Sequence, residues 1–128
     1  MTVLDASAVL VLTLEEPGQE RVMEAILAGA RMTTASFAEL ATRYLRHGAT
    51  AADIEALRDG LPVTLVPIDA DLAVRAALMN AATRTASLSL ADRFCLALAQ
   101  RDGARILTAN RAWASVAAAV GVAVEVLC

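Results

Sequence analysis

Three carboxylates and one amide stand as isolated polar residues in this sequence: Asp5, Glu39, Asp92 and Asn110. Carboxylates that converge within a few ångströms repel one another and raise each other's pKa values unless a cation neutralises them. An oxygen-only set of ligands suits Mg²⁺ or Mn²⁺. A Mg²⁺ ion can orient water and stabilise charge on a phosphoryl oxygen, as phosphodiester hydrolysis requires. We therefore interpret the three acids as candidate metal ligands of a hydrolytic site, with Asn110 beside them.

The other chemistry-bearing residues exclude several kinds of site. The chain has one histidine, His47, and two widely separated cysteines, so it lacks the His/Cys cluster that zinc requires. All eleven basic residues are arginines, which excludes any chemistry that depends on a lysine. A net charge of -3 and a pI near 5.0 give no global attraction to nucleic acid. An RNA partner would need local arginines or a bound cation.

Short β-rich runs alternate with helical stretches, a pattern typical of an α/β domain with a parallel sheet. The predicted strands are residues 2–4, 32–34, 63–66, 106–107 and 122–126. The predicted helices are residues 6–14, 19–28, 37–46, 51–59, 89–101 and 111–120, with a further helix that begins at Asp69. Ligands of an open parallel sheet bind outside the carboxyl ends of its strands. The four candidate residues, each at a strand exit or an adjoining helix start, are therefore expected to share one site.

Each candidate also has a purely structural interpretation as a helix cap. Ser36-x-x-Glu39 and Ser89-x-x-Asp92 resemble capping boxes, and the usual Glu or Gln at the fourth position makes the first the better fit. Asn110 can serve as an N-cap. The joint placement of all the candidates at strand exits favours a shared site over a set of unrelated caps.

Length and composition predict one domain over residues 1–128 with a sizeable apolar core. Hydrophobic residues make up 58% of the chain and charged residues 20%, which excludes a disordered chain. The longest charge-free stretches, residues 6–14 and 112–124, are too short to span a bilayer, and Asp5 interrupts any N-terminal signal segment. The sequence therefore predicts a cytoplasmic protein without membrane association, in which Cys95 is a reduced core residue.

The segments VLDASAVL, SFAEL and SLADRFCLALAQRDGARILTANRAW, in their order and spacing, resemble a PIN-domain ribonuclease of the toxin type found in bacterial VapBC toxin–antitoxin pairs. The resemblance covers essentially the whole chain. It implies a three-layer α/β/α domain whose five-stranded parallel sheet has the order 3-2-1-4-5. It also implies a Mg²⁺-dependent endoribonuclease toxin that cleaves structured RNA, such as tRNA or rRNA, by metal-activated water.

The resemblance further implies roles for individual residues. The family's acidic positions match Asp5, Glu39 and Asp92, and its accompanying hydroxyl positions match Ser7 and Thr108. The fourth family position, normally aspartate, is Asn110 in this chain. Because an amide brings no charge, this departure predicts weaker Mg²⁺ binding than four carboxylates would give.

Partners follow from the same resemblance. It implies a VapB-like antitoxin whose basic segment plugs the acidic groove, and a homodimer or toxin–antitoxin hetero-oligomer. Arg93 and Arg111, each next to a candidate residue, are predicted to contact RNA phosphates through their bidentate guanidinium groups. A solvated surface arginine is the commoner case for such residues.

Two other functions fit parts of the pattern. Receiver domains and haloacid-type phosphatases also carry an aspartate after the first strand, but both rely on a lysine, and the haloacid pattern needs an aspartate where this chain has Ser7. A catalytically degenerate PIN domain that acts as a protein-binding module would account for Asn110 and for the high hydrophobic content. RNA cleavage separates this last alternative from the nuclease.

Overall fold

Five parallel strands form one sheet at the centre of the protein. The computed structural model describes residues 1–127, and Cys128 lies outside the described residues. The strands are β1 (Thr2–Leu4), β2 (Arg31–Thr33), β3 (Thr64–Val66), β4 (Arg105–Thr108) and β5 (Val124–Val126). Their order across the sheet is β3-β2-β1-β4-β5, and every neighbouring pair is parallel. The predicted parallel sheet and its strand order are confirmed.

Within residues 1–127, eight helices connect or follow the strands. They are α1 (Ala6–Thr13), α2 (Gln19–Leu27), α3 (Thr34–Arg46), α4 (Ala51–Gly60), α5 (Ala70–Leu78), α6 (Asn80–Thr83), α7 (Leu90–Asp102) and α8 (Ala114–Ala117). Short 3-10 turns lie at Arg84–Ala86, Arg111–Trp113 and Ala118–Val120. No helix in this part of the chain has the length and apolar character needed to cross a bilayer.

The central strands divide their side chains between two apolar layers. Val3 and Ile106 belong to one layer, together with residues of α5 and α7 and the fully buried Trp113. The next residues along the same strands, Leu4 and Leu107, belong to the other layer with residues of α1, α2 and α3. Successive strand residues point to opposite faces of a sheet, so helices cover both faces. The expected three-layer α/β/α architecture is confirmed.

Helix α3 begins three residues earlier than predicted, because Thr33 supplies its N-cap. The Thr33 hydroxyl accepts a hydrogen bond from the Ser36 amide at 3.0 Å. The segment TTAS, residues 33–36, contains three hydroxyl residues that could cap a helix. Thr33 is the residue that does so, because β2 ends there. Ser36 consequently lies inside the helix, so the alternative interpretation of Ser36-x-x-Glu39 as a capping box is wrong.

The segment predicted as one helix over residues 111–120 is divided into a 3-10 turn, the four-residue α8 and a second 3-10 turn. The Trp113 amide donates to the Asn110 carbonyl at 3.3 Å, and this i to i+3 contact starts the segment as a tighter turn. Gly121 ends the segment with φ of +69°, which glycine adopts without strain. β5 accordingly begins at Val124 and not at residue 122.

Candidate active site

The parallel topology places several of the candidate residues together at the carboxyl ends of the strands. Leu4 of β1 pairs with Leu107 of β4, so Asp5 and Thr108 follow these two residues as neighbours. Helix α3, which carries Glu39, starts directly after β2. Helix α7, which carries Asp92, packs against α3 and β1. Glu39, Asp5 and Thr108 therefore lie at or beyond the carboxyl ends of three adjacent strands, and α7 packs beside them.

Asp5 is buried within a set of hydrogen bonds at the start of α1, with only 4% of its surface exposed. Its Oδ1 accepts from the Ala8 amide at 2.9 Å and from the Ser7 hydroxyl at 2.8 Å. Its Oδ2 accepts from the Thr108 hydroxyl at 2.6 Å. The Ala109 amide donates to Ser7 Oγ at 2.9 Å. These bonds tie the start of α1 to the end of β4 and fix the orientation of the carboxylate.

Burial raises the pKa of Asp5 to about 6, from an ordinary value of 3.8. The hydrogen bonds from Thr108, Ala8 and Ser7 lower this pKa, and the negative charge of Asp92 raises it. Removal of the carboxylate from water is the largest of these effects. The charged form of Asp5 therefore carries a free-energy cost that a nearby cation would relieve.

Ser89 connects the other two acids. The Ser89 amide donates to Asp92 Oδ2 at 3.0 Å, and the Asp92 amide donates to Ser89 Oγ at 3.1 Å, which makes a complete capping box at the start of α7. The Ser89 hydroxyl also donates to Glu39 Oε2 at 3.3 Å. Among residues 1–127, nothing donates to the second oxygen of Asp92, Oδ1. One serine thus holds two carboxylates close together while leaving part of Asp92 free to bind a ligand.

Asp92 acts electrostatically on both other acids. Its charge raises the pKa of Asp5 and that of Glu39. For Glu39, partial burial is the larger cause, and the positive charge of Arg43 acts in the opposite direction. Burial raises the pKa of the Cys95 thiol, and the charges of all three acids raise it further. Negative charge is therefore concentrated around one region, and Cys95 is a buried free thiol as predicted.

The donor chemistry of this region fits a hard divalent cation. Asp5, Glu39 and Asp92 offer only oxygen atoms, which Mg²⁺ and Mn²⁺ favour. In the part of the chain that the structure describes, no three histidine, cysteine, aspartate or glutamate side chains lie close enough to hold one ion together. Mg²⁺ usually keeps several waters in proteins. An ion at this site would therefore contact at most two of these side chains directly and would keep part of its water shell.

Asn110 is an exposed helix cap at the rim of this region. Its Oδ1 accepts from the Ala112 amide at 3.0 Å at the start of a 3-10 turn. Its own amide donates to Thr108 Oγ1 at 3.0 Å, and Thr108 in turn donates to Asp5. Two hydrogen bonds thus link the Asn110 backbone to the buried acid. The side chain makes the cap that the sequence allowed, and its part in metal binding stays a prediction.

The two arginines predicted to contact RNA have different surroundings. Arg93 directs its guanidinium toward α5, where Nη1 donates to the Ala76 carbonyl at 3.3 Å. Arg111 is exposed in the 3-10 turn after Asn110. The contact with α5 gives Arg93 a structural role, and RNA contact stays a prediction for both residues.

Two features of this site were missed in the sequence. Ser89 was assigned only to the start of α7, but its contact with Glu39 joins residues 50 positions apart, which no local pattern signals. Arg43 has no role in the sequence analysis, although its charge acts on Glu39 from one turn further along α3. The spacing of four residues between Glu39 and Arg43 was the available signal, because such pairs are neighbours on a helix surface.

The pKa of Asp5 predicts a distinctive pH dependence for the Asp5→Asn variant in metal-free protein. Because the folded pKa lies above the unfolded value, Asp5 binds more protons in the folded state between about pH 4 and pH 6, so its contribution to the stability of wild type falls as the pH rises. The stability of the variant relative to wild type is expected to increase by roughly 3 kcal/mol over this range, since one pKa unit corresponds to about 1.4 kcal/mol. Urea unfolding in EDTA at several pH values measures it.

Asp59→Asn serves as a control of opposite sign. A hydrogen bond from Arg58 lowers the pKa of Asp59, so the stability that the charged Asp59 contributes is lost as the pH falls. The stability of the Asp59 variant relative to wild type should therefore decrease as the pH rises. A pH-independent difference for Asp5→Asn would show that the folded state does not raise the pKa of Asp5.

Comparison with known proteins identifies the family and the fold. The PIN domain family model matches residues 2–119, and no curated protein matches the sequence. VapBC2 from Rickettsia felis, bound to a DNA fragment from its promoter, is 10% identical, with a TM-score of 0.74 and coverage of 99% of this chain and 98% of that one. VapC20 from Mycobacterium tuberculosis, a Sarcin-Ricin loop cleaving toxin, is 15% identical, with a TM-score of 0.69 and coverage of 90% and 95%.

A third similar structure is VapBC-5 from Mycobacterium tuberculosis, a member of the VapBC family of toxin–antitoxin systems. It is 21% identical, with a TM-score of 0.62 and coverage of 98% of this chain and 96% of that one. At these identities the structural likenesses show the shared fold. The family model spans most of the sequence, and the chain therefore belongs to the PIN domain family.

Proposed function

We propose that this protein is a Mg²⁺-dependent endoribonuclease and the toxin of a toxin–antitoxin pair. The observation that carries the proposal is the placement of three carboxylates near the carboxyl ends of the parallel strands, with Asp5 buried after β1 and Ser89 hydrogen-bonded to both Glu39 and Asp92. Membership of the PIN domain family supports it. The fold shared with VapC20, a Sarcin-Ricin loop cleaving toxin, supports structured RNA as the substrate class, with rRNA and tRNA as candidates.

The residues of the site have separate tasks in the proposed reaction. Asp5, Glu39 and Asp92 would hold Mg²⁺, directly or through water. When bound, Mg²⁺ stabilises charge on the phosphate and makes water a better nucleophile. Ser7 and Thr108 donate to the Asp5 carboxylate and so hold it in one orientation. No covalent intermediate with the protein is needed.

Replacing Asp92 with asparagine is expected to lower RNA cleavage by at least about a hundredfold, the usual effect of losing one charge-stabilising group in a catalytic site. Asparagine retains a side-chain oxygen that can accept from the Ser89 amide, so the fold is expected to survive. The measurement is cleavage of labelled tRNA and rRNA fragments in Mg²⁺ and in EDTA, with circular dichroism to check folding.

The control variant is Asp102→Asn, which removes the same charge from the other end of α7. Asp102 pairs with Arg31 at 3.1 Å and with Arg101 at 3.0 Å, away from the candidate site. This variant is expected to cleave RNA like wild type. Cleavage that persists in EDTA, or that Asp92→Asn and Asp102→Asn affect equally, would contradict the proposed mechanism.

Asn110→Asp is expected to lower the Mg²⁺ concentration that gives half-maximal cleavage. Aspartate can keep the cap on Ala112, and it adds a negative charge next to the strand exits. One added charge near an exposed site contributes on the order of 1 kcal/mol, so the shift should be about three- to tenfold. Metal titrations of cleavage measure the shift, and thermal melts in EDTA measure the accompanying loss of metal-free stability. An unchanged midpoint would limit Asn110 to its role as a cap.

The alternative function is that of a catalytically degenerate PIN domain that binds proteins. The exposed, capping side chain of Asn110 is the observation that favours it, because this position then contributes no charge to the metal site. The absence of cleavage by wild type and by Asn110→Asp, with a retained protein partner, would support this alternative over the nuclease.

We also propose a small VapB-like antitoxin as partner, in a hetero-oligomer or with a toxin homodimer, acting in the cytoplasm where the RNA substrate lies. A groove of about 560 Å³ beside α2 is lined by three apolar residues, Leu12, Met23 and Leu27, and by three polar ones, Gln19, Glu20 and Glu24. Met23 is 41% exposed and Leu27 is 81% exposed. Exposed apolar patches of this kind mark protein interfaces.

Co-expression with the neighbouring gene is expected to yield a complex in which RNA cleavage is inhibited. Met23→Asp together with Leu27→Asp should weaken that complex without changing the cleavage activity of the free protein, because both residues lie outside the acidic region. Native mass measurements determine the composition of the complex and test for the homodimer. Purification of the chain alone from cells that express both genes would contradict the partner.

A further inference from the structure

A groove of about 490 Å³ extends along α3 from the acidic region. Glu39 lines one part of the groove, and Arg43 and Arg46 line it further along the same helix. Ala91 of α7 and two alanines of α3 also line it, so small side chains leave it open. We refer to it as the α3 groove. It is a polar extension of the candidate active site.

Arg43 and Arg46 differ from most arginines of this protein because neither forms a direct ion pair among the described residues, although the charge of Arg43 acts on Glu39. Six arginines form ion pairs with carboxylates in the described part of the chain: Arg21, Arg31, Arg58, Arg75, Arg101 and Arg105. Over the same residues, 1–127, neither Arg43 nor Arg46 forms an ion pair or a side-chain hydrogen bond. Two guanidinium groups therefore remain available for a ligand of the α3 groove.

The spacing of these residues gives the groove a direction. Glu39, Arg43 and Arg46 are four and three residues apart in sequence and so lie on one face of α3. At 1.5 Å per residue, the two arginines lie about 6 Å and about 10 Å from Glu39 along the helix axis. Both are exposed. The Thr42 hydroxyl donates to the Ala38 carbonyl at 2.8 Å, which leaves the arginines as the groove's main donors.

We propose that Arg43 and Arg46 bind phosphates of the RNA strand beside the cleaved bond and so position that strand across the acidic region. This inference rests on the proposed function and deepens it. The acids repel RNA phosphates, and the net charge of -3 supplies no compensating attraction, so cations next to the site are needed. A guanidinium stays charged at physiological pH and can donate two hydrogen bonds to one phosphate.

The test measures binding of a labelled RNA hairpin to the Asp92→Asn protein, in which binding is read without cleavage. In this background, Arg43→Gln and Arg46→Gln are each expected to reduce the slope of log affinity against log salt concentration by about 0.7 to 1, because each loses one phosphate contact. The double variant should reduce this slope by about twice as much as either single variant. Replacement of both residues with lysine keeps the charges and is expected to restore most of the slope.

In the otherwise unchanged protein, Arg46→Gln is expected to raise KM several-fold with little change in kcat, because Arg46 acts on substrate binding. For Arg43→Gln only the rise in KM is expected, since the charge of Arg43 also acts on Glu39. The control is Arg105→Gln, which removes one positive charge, paired with Glu125, at the start of β4, whereas Asp5 lies at the carboxyl ends of the strands. It should leave the salt slope unchanged. Equal effects of Arg105→Gln and Arg43→Gln would indicate general attraction only and would overturn the proposal.

The outcomes separate this inference from the proposed function. If wild type cleaves no RNA but the salt slope falls in the Arg43 and Arg46 variants, the groove binds RNA and the catalytic proposal fails. If RNA is cleaved but slope and KM do not change in these variants, the groove inference fails alone. If the variants lose a protein partner while RNA binding is unchanged, the groove binds an acidic protein segment and the inference is likewise overturned.

Discussion

The burial of one carboxylate, Asp5, constrains the arrangement of the whole site. A buried charge costs several kcal/mol unless donors or a cation compensate it. Here the donors come from two places: the first turn of α1, through Ser7 and Ala8, and the end of β4, through Thr108. They can meet only if β1 and β4 are neighbours with matched ends. The register that pairs Leu4 with Leu107 satisfies that condition.

Helix caps and the candidate metal site are built from the same residues. Asp92 caps α7 through Oδ2, and Asp5 caps α1 through Oδ1. A cap fixes a short side chain to the backbone of its own helix, so the carboxylate loses rotational freedom before any ion arrives. The structural and functional interpretations of these acids are therefore compatible. Glu39 is the exception, since it lies within α3 and is held by Ser89 from another element.

The features that sequence could predict are those encoded locally. The strand and helix pattern depends on residues close in sequence, whereas the strand order came from family resemblance. Motif similarity ranks the two capping boxes in the wrong order: Ser36-x-x-Glu39 is nearer the usual motif, but only Ser89-x-x-Asp92 forms a box. The start of α3 was misplaced because TTAS contains competing caps, and the end of β2 decides between them. The contact of Ser89 with Glu39 depends on how α7 packs on α3, which no local pattern encodes. The sequence also does not predict where Arg93 points. Successive residues of a helix are rotated by about 100°, so Arg93 points away from Asp92 and contacts the Ala76 carbonyl.

Ion pairs away from the acids give the protein a second region with a different character. Arg21 of α2 holds Glu125 of β5 through two hydrogen bonds, at 2.9 and 3.1 Å, and Arg31 at the start of β2 pairs with Asp102 at the end of α7. These pairs join segments far apart in sequence, and none of them shares a partner with Asp5, Glu39 or Asp92. Substitutions in groups that share no partners combine additively. Substitutions in these ion pairs can therefore change the stability of the fold without changing the residues around the three acids.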